Sequence, residues 1–269
     1  MKSSLKYTTL LSTVLAVVVL NANNSFAAPR LQVFSGVGPN AAKAFEAMKK
    51  AIGGPDNTTA VGPQASGFRT INWDGVTLDG TDFGGKTFVV VKDKTVGIPV
   101  DRFLSRGVLF EAIYAVSGDG FVSTNKGVKG QFPFFSPKNT FAMPNDQNLD
   151  IEKFTLAGTT TQAKTRGFGA IFIDVERSKS SFIEFFDGEK SLGKYYVPRA
   201  RSGEPSFLGV LWPKPVVSRV TLKPGQKPIF NVTGSGFVSG PPDITKNSYK
   251  GVDLAVTDDF VYAEPTKSW

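Results

Sequence analysis

The chain has 269 residues, carries 31 Lys and Arg against 23 Asp and Glu for a formal charge of +8, and contains neither cysteine nor histidine. Those two absences exclude Ser-His-Asp and Cys-His catalysis, thiolate chemistry, a disulfide framework and the usual zinc ligands. Carboxylate, Lys, Tyr and Ser remain for chemistry, and oxygen remains for metal, which favours calcium.

Residues 1–27 read as a secretory signal: Lys2 and Lys6 precede an apolar run over residues 10–20, and Ser25 and Ala27 supply small residues before a cut. That run is too short to cross a bilayer, which takes roughly 20 residues. Cleavage after Ala27 is therefore expected to release a secreted or periplasmic protein without a membrane span. Loss of Lys2 and Lys6 lowers the charge from +8 to +6, enough for weak attraction to acidic polymers and too little to imply a nucleic-acid site.

Residues 28–66 are expected to hold a helix and a loop. Between residues 40 and 53, Ala41, Ala44, Phe45, Met48 and Ile52 fall on one helical face, with Lys43, Glu46, Lys49 and Lys50 largely opposite. Gly38-Pro39 opens this helix and Gly53-Gly54-Pro55 closes it. Residues 53–67, rich in Gly, Pro, Asn and Thr, read as loop.

Residues 67–269 read as one β domain. Short Val/Ile/Phe/Tyr runs lie at 88–91, 108–113, 168–175, 182–186, 194–197, 207–212, 216–222, 229–233 and 252–262. Asp187-Gly188 and Leu192-Gly193 between two of them predict a hairpin with a loop longer than two residues. The run from Phe168 to Ile173 is apolar on both alternating faces, as in a central strand covered on both sides. A mainly β fold follows, a β-sandwich or jelly roll with one peripheral N-terminal helix.

The last run carries the sharpest local signal. Val252, Leu254, Val256, Asp258, Phe260 and Tyr262 share one alternating register, which places Asp258 among apolar side chains unless a bulge intervenes. Asp174 stands likewise in register with Phe168, Ala170 and Phe172. A buried carboxylate needs a cation, strong hydrogen bonds or a proton. Asp174 and Asp258 thus suit a calcium site at a sandwich rim, with Asn72 or Asp74 as a third side chain. They also suit structural carboxylates held by Arg166, Arg106 or backbone amides, or solvated beyond the strand end. In Ile71-Asn72-Trp73-Asp74-Gly75, Trp73 is either a stacking surface for a ligand or a core plug above a polar turn. From Lys194 to Arg201 basic and aromatic residues interleave, so Tyr195 and Tyr196 are candidates to contact an anionic polysaccharide.

Six stretches occur in order: Ile71 to Val76 (through Asn72-Trp73-Asp74-Gly75), Arg106-Gly107-Val108, Phe135-Ser136-Pro137, Arg166-Gly167-Phe168-Gly169-Ala170 with Phe172 and Asp174-Val175, Ser206-Phe207-Leu208-Gly209-Val210, and Asp258-Asp259-Phe260-Val261-Tyr262 with Glu264-Pro265. Together, over residues 45–265, they resemble the signature of a family of uncharacterised exported bacterial proteins. Some of its members end in a short sorting tail after the final Glu-Pro, from which this sequence departs. The resemblance implies no activity. Asp258-Asp259-Phe260 is also similar to the last strand of calcium-bearing jelly-roll carbohydrate-binding modules. The first expectation is an exported, non-catalytic binding module that contacts glycan or an envelope polymer and is calcium-stabilised. A structural or matrix protein of the cell surface is the second. A glycoside hydrolase using a pair among Asp174, Glu176, Glu184, Asp258 and Asp259 is the third.

Overall fold

The computed structural model describes residues 30–82, 87–112, 114–145, 149–244 and 251–267, so the signal reading at residues 1–27 lies outside the described residues. In chain order the strands are β1 (Gln32–Val37), β2 (Phe68–Ile71), β3 (Val89–Val91), β4 (Thr95–Ile98), β5 (Val108–Leu109), β6 (Tyr114–Ser117), β7 (Thr140–Ala142), β8 (Leu149–Ile151) and β9 (Lys153–Phe154). They continue with β10 (Gly167–Ile173), β11 (Phe182–Asp187), β12 (Lys190–Tyr196), β13 (Pro205–Leu211), β14 (Arg219–Lys223), β15 (Phe230–Thr233), β16 (Gly236–Ser239) and β17 (Val256–Ala263). The α-helix α1 spans Pro39–Ile52.

Among the described residues the fold is the expected β-sandwich with one α-helix. A large antiparallel sheet runs β1-β13-β10-β17-β7-β6-β4-β3, with β2 also paired to β17, and faces a smaller sheet ordered β12-β11-β14-β8. Alternation along β10 explains its doubly apolar sequence. Phe168, Ala170 and Phe172 join the core between the sheets, packed with Ile183, Phe185, Val220 and Leu222. Ile171 and Ile173 face the other way, into a second core with Phe45, Met48 and Ile52 of α1.

Helix α1 buries Ala41, Phe45, Met48 and Ile52, four of the five residues on the face its sequence predicts. Burial of the three large side chains contributes roughly 5–9 kcal/mol gross. The sheet is shaped to receive them. Gly169 and Gly209 pair directly across β10 and β13, and a Cβ on either would collide with Met48 Sδ. These two glycines make the dent in which Met48 sits.

Two local expectations change. The hairpin joining β11 and β12 is closed by Asp187 opposite Lys190, so its loop has two residues, Gly188 and Glu189, instead of a longer one. Gly188 adopts φ 57°, as the first position of a type II′ turn requires. The extra residue that suggested a longer loop is absorbed as a bulge near Leu192, where Phe185 faces Gly193 and Phe186 faces Ser191. Strand β1 lies ahead of the helix and pairs with β13 at the edge of the large sheet, so the N-terminal segment is woven into the sandwich. Among the described residues no helix is long and apolar enough to cross a membrane.

Candidate functional site

The carboxylates picked out in the sequence fall into two clusters. Asp174 directly follows β10 in left-handed backbone, φ 73°, a conformation that Asp tolerates because its short side chain bonds locally. Gly203 N–H donates to Asp174 Oδ1, and Asp174 N–H donates to Glu204 O at 3.2 Å. Asp243 Oδ1 accepts from the N–H groups of Ile244 (2.8 Å) and Leu254 (2.7 Å). Asp253 accepts from Glu176 N–H (3.3 Å) and Arg177 N–H (3.0 Å), which clamps the turn after β10 to the approach of β17. Asp174, Glu176 and Asp243 each offer a carboxylate oxygen within 4.8 Å of the others.

Asp174 and Asp243 are buried and Glu176 is half-buried. Burial, reinforced by Asp174, pushes Asp243 up to about 9, and burial with the charge of Asp174 pushes Glu176 up to about 8. Asp174 rises to about 6, because burial outweighs the bonds from Asp243, Gly203 and Ser202. Three carboxyl groups this close retain protons or share a cation.

The second cluster is made by a bulge. Ala170 pairs with Phe260 and Phe172 with Thr257, so Asp258 and Asp259 together oppose Ile171. The bulge reverses the register: Val256 and Val261 both join the helix-side core, while Phe260 and Tyr262 face the inter-sheet core. Ser136 Oγ donates toward both carboxylates, at 3.2 Å to Asp258 and 2.7 Å to Asp259, so the two acids lie on one face. Phe135 N–H donates to Asp258 Oδ2 at 2.8 Å. Burial first, then the charge of Asp259, pushes Asp258 up to about 9. Asp259 is also raised, chiefly by burial and with a contribution from the charge of Asp74.

The four residues expected to share a metal therefore do not converge. Ile173 pairs with Val256, so Asp174 lies near the level of Ala255, three residues or roughly 10 Å along the strand from Asp258. Asp74 belongs beside Asp258 and Asp259: Asn139 N–H donates to it at 3.3 Å, and burial raises its carboxyl. Asn72 is exposed and takes part in neither cluster. The expected arginine partners are engaged elsewhere, Arg106 Nη1 with Thr70 O (2.9 Å) and Arg166 Nη2 with Ile52 O (2.8 Å). Sequence reasoning missed Asp243 and Gln131 as neighbours of Asp174. Glu176, two residues on, carried a weak signal, because alternate residues share a side.

Of the aromatic candidates, Trp73 is core. Its ring stacks on Phe141 at 3.7 Å, with Phe103 and Phe260 edge-on at 5.1 Å, and Nε1 donates to Asp258 O at 2.5 Å. It offers no face to a ligand. Tyr195 turns inward onto Phe185 (5.7 Å) and Trp212 (6.4 Å). Tyr196, 46% exposed, turns outward. It pairs with Phe182, which pairs in turn with Lys223. On this outer face Lys194 Nζ lies 4.3 Å from the Phe182 ring centroid, Lys179 Nζ 5.8 Å from Tyr196, and the Arg219 guanidinium 3.7 Å from Phe186. Glu184 sits in the same face, bridged to Lys194 at 3.0 Å.

Comparison with known proteins finds no matching family model, no matching curated protein and no matching solved structure.

Proposed function

We propose that this chain is an exported, non-catalytic binding module that holds an acidic polysaccharide of the cell envelope against the outer face of its smaller sheet. One observation carries this reading: Phe182, Phe186 and Tyr196 stand on that face, each with a cation within 6 Å of its ring. Rings give flat apolar area for sugar faces, and cations held beside them attract the acid groups. The surrounding charge agrees. Residues 177–201 hold six basic side chains against three acidic, and β14 adds Arg219 and Lys223 with no acid. Glu184 and Glu189 partly neutralise the face through Lys194 and Arg219, which favours modest, salt-sensitive affinity.

Binding to uronate- or phosphate-bearing polysaccharides, compared with neutral ones, tests the reading. We expect the acidic polymers to bind at low salt and to release as salt rises. Tyr196→Ala and Lys194→Ala should each weaken binding about tenfold, a loss of about 1.4 kcal/mol. Indifference to every acidic polysaccharide, together with concentration-dependent self-association, would turn the assignment to a matrix protein. Reducing-sugar release would turn it to a hydrolase.

Export is checked separately. N-terminal sequencing of secreted or periplasmic material should begin at Ala28, and an intact Met1 on exported protein rules the cleavage out.

A further inference from the structure

Beside the last turn of α1 lies a cavity that neither the carboxylate clusters nor the aromatic face uses. It measures about 290 Å³ and is walled by Gly53 and Gly54 after the helix, Ser66 and Gly67 of the loop, Arg166 before β10 and Thr266 after β17. Glycine shapes it. Gly54 and Gly67 touch through their backbones, so a Cβ on Gly54 would lie 2.9 Å from Gly67 Cα, and one on Gly67 would collide with Pro55 O. Both stand at positive φ, 75° and 107°, where glycine alone is unstrained. A Cβ on Gly53 would meet nothing nearer than 3.9 Å, so its backbone borders open space.

One charge on this wall is unanswered. Arg166 is half-buried. Its Nη2 donates to Ile52 O at 2.8 Å and so caps the end of α1. Among the described residues it has no other hydrogen bond and no carboxylate within ion-pair distance. Glu264 also lines the cavity, yet each of its oxygens already accepts two donors: Arg69 and Gln64 on one, Arg69 and Asn57 on the other. Its charge is spent on Arg69. The hydroxyls of Ser66 and Thr266 likewise have no protein partner among the described residues. A guanidinium drawn partly out of water without a counter-charge is costly, and its planar fork matches a carboxylate.

We propose that this cavity binds one small hydroxylated carboxylate, the size of a single uronic acid, with the acid group on Arg166 and hydroxyls on Ser66 and Thr266. The volume agrees. At about 30 Å³ per water it holds roughly ten waters, and bonded atoms pack closer than waters, so a sugar acid of about a dozen non-hydrogen atoms fits. Pro215 and Ala263 add apolar wall for the ring. A phosphate satisfies the cation but leaves most of the space to water. The cavity shares no residue with the aromatic face, so this proposal does not rest on the one made for that face.

The test titrates the purified, isotopically labelled chain with galacturonate, with galactose and with inorganic phosphate, while amide and arginine Nε–H resonances are followed. Galacturonate should shift Gly53, Gly54, Gly67 and the Arg166 side chain with one dissociation constant of about 1 mM or tighter. Galactose, which differs at the carboxylate, should bind at least tenfold more weakly, and phosphate more weakly than galacturonate. Arg166→Gln should weaken galacturonate at least tenfold. Because Arg166 also caps α1, a second variant leaves it in place: Ala65→Phe, from an exposed position on the cavity wall, fills the space and should weaken binding as much without lowering the melting temperature. Trigalacturonate identifies the source, since a site for a chain end binds it as well as the monosaccharide and a site for the free acid does not. Shifts confined to the aromatic face overturn the proposal. So do galactose or phosphate binding as tightly as galacturonate, and galacturonate binding that survives both variants.

Discussion

Replacing Arg69 with Met is expected to cost about 3–5 kcal/mol, which lowers the melting temperature by roughly 6–20 °C. Arg69 and Glu264 form a fully buried ion pair, at 0% and 1% side-chain exposure, with Nε to Oε2 at 2.7 Å and Nη2 to Oε1 at 3.0 Å. The pairing follows from the sheet: Arg69 lies opposite Tyr262 in β2, two residues before Glu264 in the chain. Both ends are then saturated. Arg69 also donates to Ala60 O (3.0 Å) and Gly62 O (2.7 Å), while Glu264 accepts from Asn57 Nδ2 (3.0 Å) and Gln64 N–H (3.1 Å). The loop that the sequence marks at residues 53–67 is thus pinned from beneath by one guanidinium–carboxylate unit. Removal of the arginine leaves Glu264 buried without its counter-charge and Ala60 and Gly62 without their donor, and that uncompensated burial dominates the cost. Arg69→Met combined with Glu264→Leu should lose clearly less than the two single losses added together, as coupled neighbours do. Urea unfolding of the four proteins measures this. Additive losses would show that the pair is not a unit.

The elements that periodicity can report were legible, and those built from distant segments were not. Ala41, Phe45, Met48 and Ile52 repeat at helical spacing, and the structure buries all four. The unbroken apolar run of β10 marked it as a strand covered on both faces, and α1 and the smaller sheet cover it. In β17 the alternation placed Asp258 with Phe260 and Tyr262, but the bulge at Asp258 and Asp259 shifts them apart. A bulge adds one residue without changing composition, so a sequence of alternating residues reads the same with or without it. Asp243 and Gln131 meet Asp174 across roughly 69 and 43 residues of chain, separations that no local pattern encodes. Arg69 gave no sign either, because an arginine in a short β run reads as a solvated side chain until the buried carboxylate opposite it is known.

Stability should fall steadily as pH rises from about 5 to 9, the reverse of ordinary acid denaturation over that range. Asp258 is the clearest cause. Its carboxyl is fully buried on the bulge beside Asp259, and burial with that neighbouring charge pushes it up to about 9, far above the unfolded value near 4. Between those two values the folded state retains a proton that the unfolded state releases, so each rise in pH favours unfolding. The contribution is fully present below about pH 4 and is lost as pH climbs through the folded value. Each unit of raised pKa corresponds to about 1.4 kcal/mol, so the cost at pH 8 is on the order of several kcal/mol. Asp243 and Glu176, raised to about 9 and about 8, add to the slope in the same direction. Asp258→Asn isolates the first contribution. The amide keeps an oxygen for Phe135 N–H and presents its NH2 toward Asp259, in place of the proton held between the two acids. The variant should match the parent near pH 5 and exceed it by on the order of 2–5 kcal/mol at pH 8, with a shallower slope between. Parallel curves for parent and variant from pH 5 to 9 would mean that Asp258 stays ionised in the fold, held by Phe135 N–H and Ser136 without a proton.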